Sequence, residues 1–241
     1  MISKTRGIVF HRFNYSESSV IAKIYTEQFG LCSYLIQGAR KKKSLVKANF
    51  LHPLSLVELV AYHKETSGLQ KMKELKNAHP FLSIPNDISK TSIAIFLSEI
   101  LFRSIKEETA NKEKFDFIFN SVKMLDEIEN PANFHLVFLI KLSKLLGFFP
   151  HSTAPGGASF FDLPEGVFSE EKPNHAHVVS PPFSEIFFQF LKYDFSDGEK
   201  IKLTRKTRQI LLEKIIDYYR LHIAGMQEIK SRQVLETVLR D

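Results

Sequence analysis

The chain has 241 residues, with 44% hydrophobic and 25% charged residues and only ten glycines and ten prolines. That composition excludes collagen-like and low-complexity classes and fits a globular chain long enough to bury a core in one or two domains. The net charge of +6 is uneven, because residues 1–80 carry 13 Lys and Arg against 5 Asp and Glu while residues 81–241 carry 20 against 22. A positive field able to attract polyanions therefore belongs to the first third.

Residues 1–80 read as strands. Ile8-Val9-Phe10 opens the first, and Arg12-Phe13 extends it. Ser19–Thr26 is β-branched and roughly alternating, Gln28-Phe29-Gly30 is a turn signal, and Leu31–Gln37 follows at once, so the two runs predict a hairpin. Leu54–Tyr62 alternates again, the polar stretch His63–Gly68 predicts a second turn, and Leu69–Lys76 is the last candidate strand. Five short strands suggest a small barrel of the OB type, with an SH3-like barrel also compatible. The single cysteine, Cys32, excludes an internal disulfide and any multi-cysteine metal site within one chain. Its place inside a strand pattern predicts a buried, inert thiol.

After Pro80 the period becomes helical. Ile93, Phe96, Leu97, Ile100, Leu101 and Ile105 share a face, with Asn86 or Asp87 upstream as the cap. Phe115–Leu125 repeats the pattern, and Phe134–Leu146 is apolar on most sides, hence central, until Gly147 and Pro150 stop it. Residues 151–180 are loop-like, although Ser159-Phe160-Phe161 and His177-Val178-Val179 could pair as short extended pieces. Helical periodicity returns at Pro182–Tyr193, Thr204–Ile223 and Val234–Leu239. The expectation is an α+β chain: an N-terminal five-stranded OB-type β-barrel over 1–80, then an all-α domain over 81–241 with an irregular loop excursion at about 151–180. No apolar run reaches the roughly 18 residues a bilayer demands, since Phe134–Phe149 is interrupted by Lys141 and Lys144. Nothing after Met1–Arg6 reads as the apolar core of a secretory signal, so a cytoplasmic location without membrane contact is expected.

Familiar catalytic patterns are missing. There is no Walker-type or G-x-G-x-x-G glycine loop, no H-E-x-x-H and no G-x-S-x-G. His151, His175 and His177 share the irregular segment with Asp162 and Glu165, a set able to ligate zinc, but no pair has helical ligand spacing. The carboxylate pairs Glu107-Glu108 and Glu170-Glu171 read as solvated. The expectation is a protein without enzymatic activity, metal or cofactor.

The densest feature is Gly38-Ala39-Arg40-Lys41-Lys42-Lys43-Ser44, followed by Lys47. Four consecutive cations repel one another unless an anion is present, and phosphates supply one while releasing counterions. A solvated loop fits the same run. Gly38 permits a sharp turn there. Tyr34 is the candidate ring on which an unpaired base would stack beside the loop. Lys4, Arg6, Arg12 and Lys23 would extend the positive face. A second cluster, Lys200, Lys202, Arg205, Lys206 and Arg208, enters a helix N-terminus against its dipole, which contact with phosphate or an acidic partner would explain. The rival reading is a protein-interaction adaptor that receives acidic peptide tails, with DNA contact incidental.

The order of several short motifs resembles the RecO family of DNA repair and recombination mediators. They are Thr5-Arg6-Gly7-Ile8-Val9, Tyr15–Ser19, Tyr25–Gly30, Gly38–Ser44, Leu51-His52-Pro53-Leu54, Phe96–Leu101, Leu145–Pro150 and Ile229–Leu235. The resemblance spans nearly the whole chain. It implies an OB fold, a helical C-terminal domain, binding of single- and double-stranded DNA, and annealing of complementary strands. It also implies help in loading the RecA recombinase onto DNA covered by single-stranded-DNA-binding protein. The implied partners are RecR and the acidic C-terminal tail of that covering protein, with Lys141 and Lys144 on a helix suited to the tail. Many members carry a four-cysteine zinc site after the Leu145–Pro150 element. Here His151–Ser180 contains no cysteine, so packing of Phe160, Phe161 and Phe168 is expected to hold the segment instead.

Overall fold

The computed structural model describes residues 2–38, 50–64, 67–152 and 159–239, without the side chain of Glu199. The chain divides into two units, Met1–Glu127 and Ile128–Asp241.

The first unit begins with five strands: β1 (Ile2–Asn14), β2 (Val20–Thr26), β3 (Gly30–Ile36), β4 (Leu56–Tyr62) and β5 (Gln70–His79). They pair in the order β1-β2-β3-β5-β4 and close as a barrel, because β1 joins both ends of the sheet. Its first half pairs β4 (Ile2↔Tyr62 to Ile8↔Leu56) and its second half pairs β2 (Gly7↔Thr26 to Asn14↔Val20). Gly7 sits where the strand serves both neighbours, and a Cβ there would lie 2.5 Å from Ile24 Cγ2. Both expected hairpins form, β2 with β3 and β4 with β5. A short parallel contact, Tyr34↔Gln70 and Leu35↔Lys71, completes the circle. The interior is Val9, Val20, Ala22, Ile24, Tyr34, Ile36, Leu51, Val57, Leu59, Ala61, Met72 and Leu75, supplied by alternate residues as the pleat demands. Strand β1 is longer than Ile8–Phe13 because Ser3 and Thr5 take inward positions between Lys4 and Arg6, so no hydrophobic alternation betrays its start.

Two helices complete this unit, α1 (Ile88–Ser104) and α2 (Lys112–Glu127). Asp87 caps α1, its Oδ1 accepting from Ser89 N at 2.8 Å and Lys90 N at 3.1 Å. Helix α1 packs on β1, and Ser98 donates its hydroxyl to the Phe10 carbonyl.

The second unit is built on α3 (Phe134–Leu145), whose first seven residues are all buried. As expected, Gly147 ends it, with φ at +88° and its N–H bonded to Lys144 O. Around it lie α4 (Phe183–Phe190), α5 (Phe195–Lys200), α6 (Arg205–His222) and α7 (Arg232–Val238). The expectation of an all-α domain with an irregular excursion needs correction. Residues 151–179 contribute a four-stranded sheet, β6 (His151–Ser152), β7 (Phe160–Asp162), β8 (Val167–Ser169) and β9 (Val178–Val179), in the order β6-β8-β7-β9. The anticipated pairing of the two extended pieces is the β7–β9 ladder, Phe161↔Val179 and Asp162↔Val178. Phe161 and Phe168 are fully buried with ring centroids 4.4 Å apart, and Phe161 lies 4.9 Å from Phe187 and 5.3 Å from Tyr218. Aromatic packing holds this small sheet, with Phe160 only half-buried at its side.

Candidate functional site

The basic run Arg40, Lys41, Lys42, Lys43 and Lys47 lies outside the described residues. Its two attachments are fixed. The strand β3 ends at buried Ile36, Gly38 turns with φ at +68°, and the chain returns at Leu51, which shares the barrel core with Ile36.

The other cations singled out from sequence fall into two kinds. Some are bound by the chain's own acids. Lys4 Nζ lies 3.2 Å from Glu58. Arg6 meets Glu27 in a two-pronged pair, Nε and NH2 each at 2.8 Å, with Asp116 at 3.7 Å. Its guanidinium also sits 4.9 Å over the Phe119 ring. The hydrogen bond from Arg6 holds the Glu27 carboxyl below its usual range, outweighing burial. Lys141 pairs with Asp194 at 2.7 Å, and that hydrogen bond lowers the Asp194 carboxyl. Others remain at the surface, namely Lys144, Lys202 and Lys206.

Two assignments are corrected by burial, and a further cation is engaged within the second unit. Tyr34 is 1% exposed and faces the barrel interior, so its ring offers no platform; burial pushes its phenol up. The Cys32–Tyr34–Ile36 row shares one face of β3, and in a closed barrel that face turns inward with Ile36. Arg208 is buried on α6, where Nε donates to Asn133 Oδ1 at 3.1 Å and NH2 to Leu203 O at 3.2 Å. Asn133 in turn donates to Gly198 O and Ile201 O, so Arg208 anchors the connection into α6. Arg205 reaches Glu236 O at 2.9 Å and caps a carbonyl of α7. Thr204 caps α6, its hydroxyl accepting from Thr207 N.

Sequence reasoning passed over the outer row of β5. Lys71, Lys73 and Lys76 are exposed while Met72 and Leu75 point inward, and among the described residues none of the three lies in an ion pair. The signal was present in Gln70-Lys71-Met72-Lys73-Glu74-Leu75-Lys76, where apolar residues mark the inner face and lysines the outer. The exposed rings of the barrel are Phe13, Tyr15 and Tyr62 among the described residues.

Two cavities open in the first unit. One of about 430 Å³ is largely apolar and lined by His52, Pro53, Leu56, His79, Phe81 and Ile95 among others. A second, of about 220 Å³, lies under the β4–β5 turn beside the Phe29–His63 ring stack, which has a centroid spacing of 3.9 Å. Buried Gln70 organises that turn, donating to Lys64 O and Ser67 O and accepting from Lys64 N. Among the described residues no group of three or more His, Cys, Asp or Glu is placed to hold a metal ion. His175 instead meets Asp162 at 3.0 Å. No helix of the described residues is long and apolar enough to cross a membrane.

Comparison with known proteins covers both units. The family profile "Recombination protein O N terminal" matches residues 1–81, and "Recombination protein O C terminal" matches residues 85–233. A curated DNA repair protein RecO from Azobacteroides pseudotrichonymphae is 38% identical over 239 residues, covering 99% of each chain. The protein of the same name from Phocaeicola vulgatus is 35% identical and that from Flavobacterium psychrophilum 38%, each alignment covering 98% of both chains.

Proposed function

Because this chain belongs to the RecO family of DNA repair and recombination proteins, we propose that it is a non-enzymatic mediator that binds single- and double-stranded DNA and anneals complementary strands. It would also assist loading of a RecA-type recombinase onto strands covered by single-stranded-DNA-binding protein, with RecR and the acidic tail of that protein as partners. The observation that carries this reading is the match to both family halves along almost the full chain. On this reading the cytoplasm is the site of action. Residues 1–80 form the DNA-binding module, an OB-type barrel, a proposal supported by the strand order β1-β2-β3-β5-β4 and closure through β1.

The chemistry is electrostatic. Arg40, Lys41, Lys42, Lys43 and Lys47 grip phosphates, and Lys71, Lys73 and Lys76 offer a second row on β5. Lys4 and Arg6 stiffen the barrel through Glu58 and Glu27 and add to the field more than to direct contact. Lys202 extends a separate positive patch in the second unit, and Lys141 with Lys144 faces the acidic tail once Asp194 is displaced from Lys141. Cations that neutralise two strands at once suppress their repulsion, and base pairing supplies the sequence specificity.

The test is a strand-annealing assay across a salt series, with and without the covering protein. Affinity should fall steeply with salt and ignore base sequence. Replacing Lys41, Lys42 and Lys43 by Ala should flatten the log–log salt slope for a single strand by about 2, at about 0.7 per lost phosphate contact. An unchanged slope removes those three lysines from the interface. Acidic-peptide binding that survives DNA competition, with salt-insensitive DNA contact, would favour the adaptor instead.

A further inference from the structure

Resting on the DNA-binding reading above, we propose that His11, Phe13 and Phe102 form a stacking platform for an unpaired base, with Lys106 and Lys23 placed to hold the adjoining phosphates. The platform would let the protein distinguish single strands from duplex, whose bases are already stacked.

The platform comes from a break in the pleat. Register in the β1–β2 ladder shifts between Val9 and His11, so that Val9 faces Ile24 but His11 faces Lys23. Without that bulge His11 would follow Val9 into the core. With it, His11 and Phe13 stand on the outer surface, where bulges commonly re-aim side chains. The end of α1 supplies the third ring. His11 lies parallel to Phe102 at 5.0 Å with planes 17° apart, and Phe13 closes on both edge-on, 4.4 Å from His11 and 6.0 Å from Phe102. Phe13 nevertheless remains 41% exposed and His11 is exposed, so the cluster stands partly in solvent.

Cations surround the rings. Lys106 Nζ lies 4.9 Å from the Phe102 centroid and donates to Phe102 O, and Lys106 is exposed. Lys23 stands directly opposite His11 across the β1–β2 ladder, and burial, then Arg103 and Lys23, lower the Lys106 ammonium below its usual range. Glu99 is the acid at this spot and is engaged by Arg103 at 3.0 Å. Burial holds the His11 imidazole down against the pull of Glu99, and Arg103 adds to that effect. A neutral ring presents its π face at neutral pH. Flat rings edged by ammonium groups match a base joined to phosphates, whereas an apolar protein side chain would use the rings and ignore the lysines.

The experiment compares a fluorescent oligothymidylate with a duplex of the same length, using the full chain. Phe13→Ala combined with His11→Ala should weaken oligothymidylate binding about tenfold and leave duplex binding within twofold, since base–aromatic stacking is sequence-tolerant and needs an open base. The salt slope should not change, because stacking releases no counterions. Phe13→Trp should retain single-strand affinity, and 2-aminopurine in the oligonucleotide should lose its quenching with the double variant alone. Lys106→Ala should instead flatten the slope. Single-strand affinity within twofold of the unaltered protein, or an equal loss for both probes, would overturn the platform while leaving DNA binding intact. An unaltered protein that binds neither probe would sink the DNA-binding reading, and the platform with it.

Discussion

Asp126, near the end of α2, is the residue whose loss should cost the first unit most for the fewest atoms. The residue is 6% exposed, and its carboxylate accepts three backbone N–H groups from the segment that leaves the barrel: Leu82 at 2.9 Å, Ser83 at 2.9 Å and Ile84 at 2.8 Å. Buried Lys90 sits beside it, its Nζ donating to Ser83 Oγ at 2.7 Å and to Asp126 O at 2.9 Å. Asp126→Ala strands three donors, each worth about 1–3 kcal/mol when buried without a partner. The two Lys90 acceptors, Ser83 Oγ and the Asp126 backbone carbonyl, remain in the variant, so the cost is that of the three N–H groups. Allowing for water entry and non-additivity, the loss should be about 3–5 kcal/mol. Asp126→Asn should cost less, about 2 kcal/mol, because one oxygen still accepts while the amide nitrogen opposes a donor. Urea unfolding at pH 7 gives the stability, and hydrogen exchange at Leu82, Ser83 and Ile84 locates it, with roughly hundredfold faster exchange for a loss near 3 kcal/mol. Burial pushes the Asp126 carboxyl up, but the Leu82, Ile84 and Ser83 N–H groups outweigh it and hold it below its usual range. Its contribution is therefore complete above about pH 4 and is lost as pH falls through the depressed native value. Stability within 0.5 kcal/mol of the unaltered protein, together with unchanged exchange at those three amides, would refute this account.

Three further outcomes can be measured. Arg208→Ala should lower stability by about 2–4 kcal/mol in thermal or urea unfolding, since it orphans Asn133 Oδ1 and Leu203 O, yet leave DNA affinity unchanged below the midpoint. His135 is buried, and burial, with Arg208 second, lowers its imidazole to about 3. The unfolded chain therefore binds one more proton between pH about 6.5 and that value. Stability should fall on acidification through this window by up to about 1.4 kcal/mol per pH unit, a slope that His135→Leu should reduce in urea titrations. Gly30→Ala should destabilise the β2–β3 hairpin, visible as a lower urea midpoint, because φ is +65° and the new Cβ would lie 2.5 Å from Thr109 O and 2.7 Å from Glu107 O.

Hydrophobic periodicity carried most of the architecture because each of its elements buries a face. The two hairpins, the Asp87 cap and the Gly147 stop were legible from residues that act locally. What escaped had no local period. Strands β6 and β8 have two and three residues, too few to alternate, and exist because Phe168 packs against Phe161 of β7 and against Phe187 and Phe188 of α4. Helix α5 contains Gly198 and only six residues. It holds through the Asp194–Asp197 capping box and the stack of Phe195 on Phe134 at 4.5 Å.

Charge was read less well than hydrophobicity, for a physical reason. A lysine or arginine in sequence announces a cation but not its partner, and the partner comes from elsewhere in the fold. Arg6 finds Glu27 twenty-one positions away, and Arg208 finds Asn133 seventy-five away. Neither separation leaves a trace in a run of residues. A strand is a partial exception, because its pleat sorts side chains by face on either side of an irregularity: a register shift opposite Val60 and Ala61 turns both Met72 and Leu75 inward, and Lys71, Lys73 and Lys76 stand outside. The bulge at His11 shows the limit of that rule. One displaced residue in β1 moves two aromatic side chains from the interior to a cationic surface, and alternation alone assigns them to the wrong side.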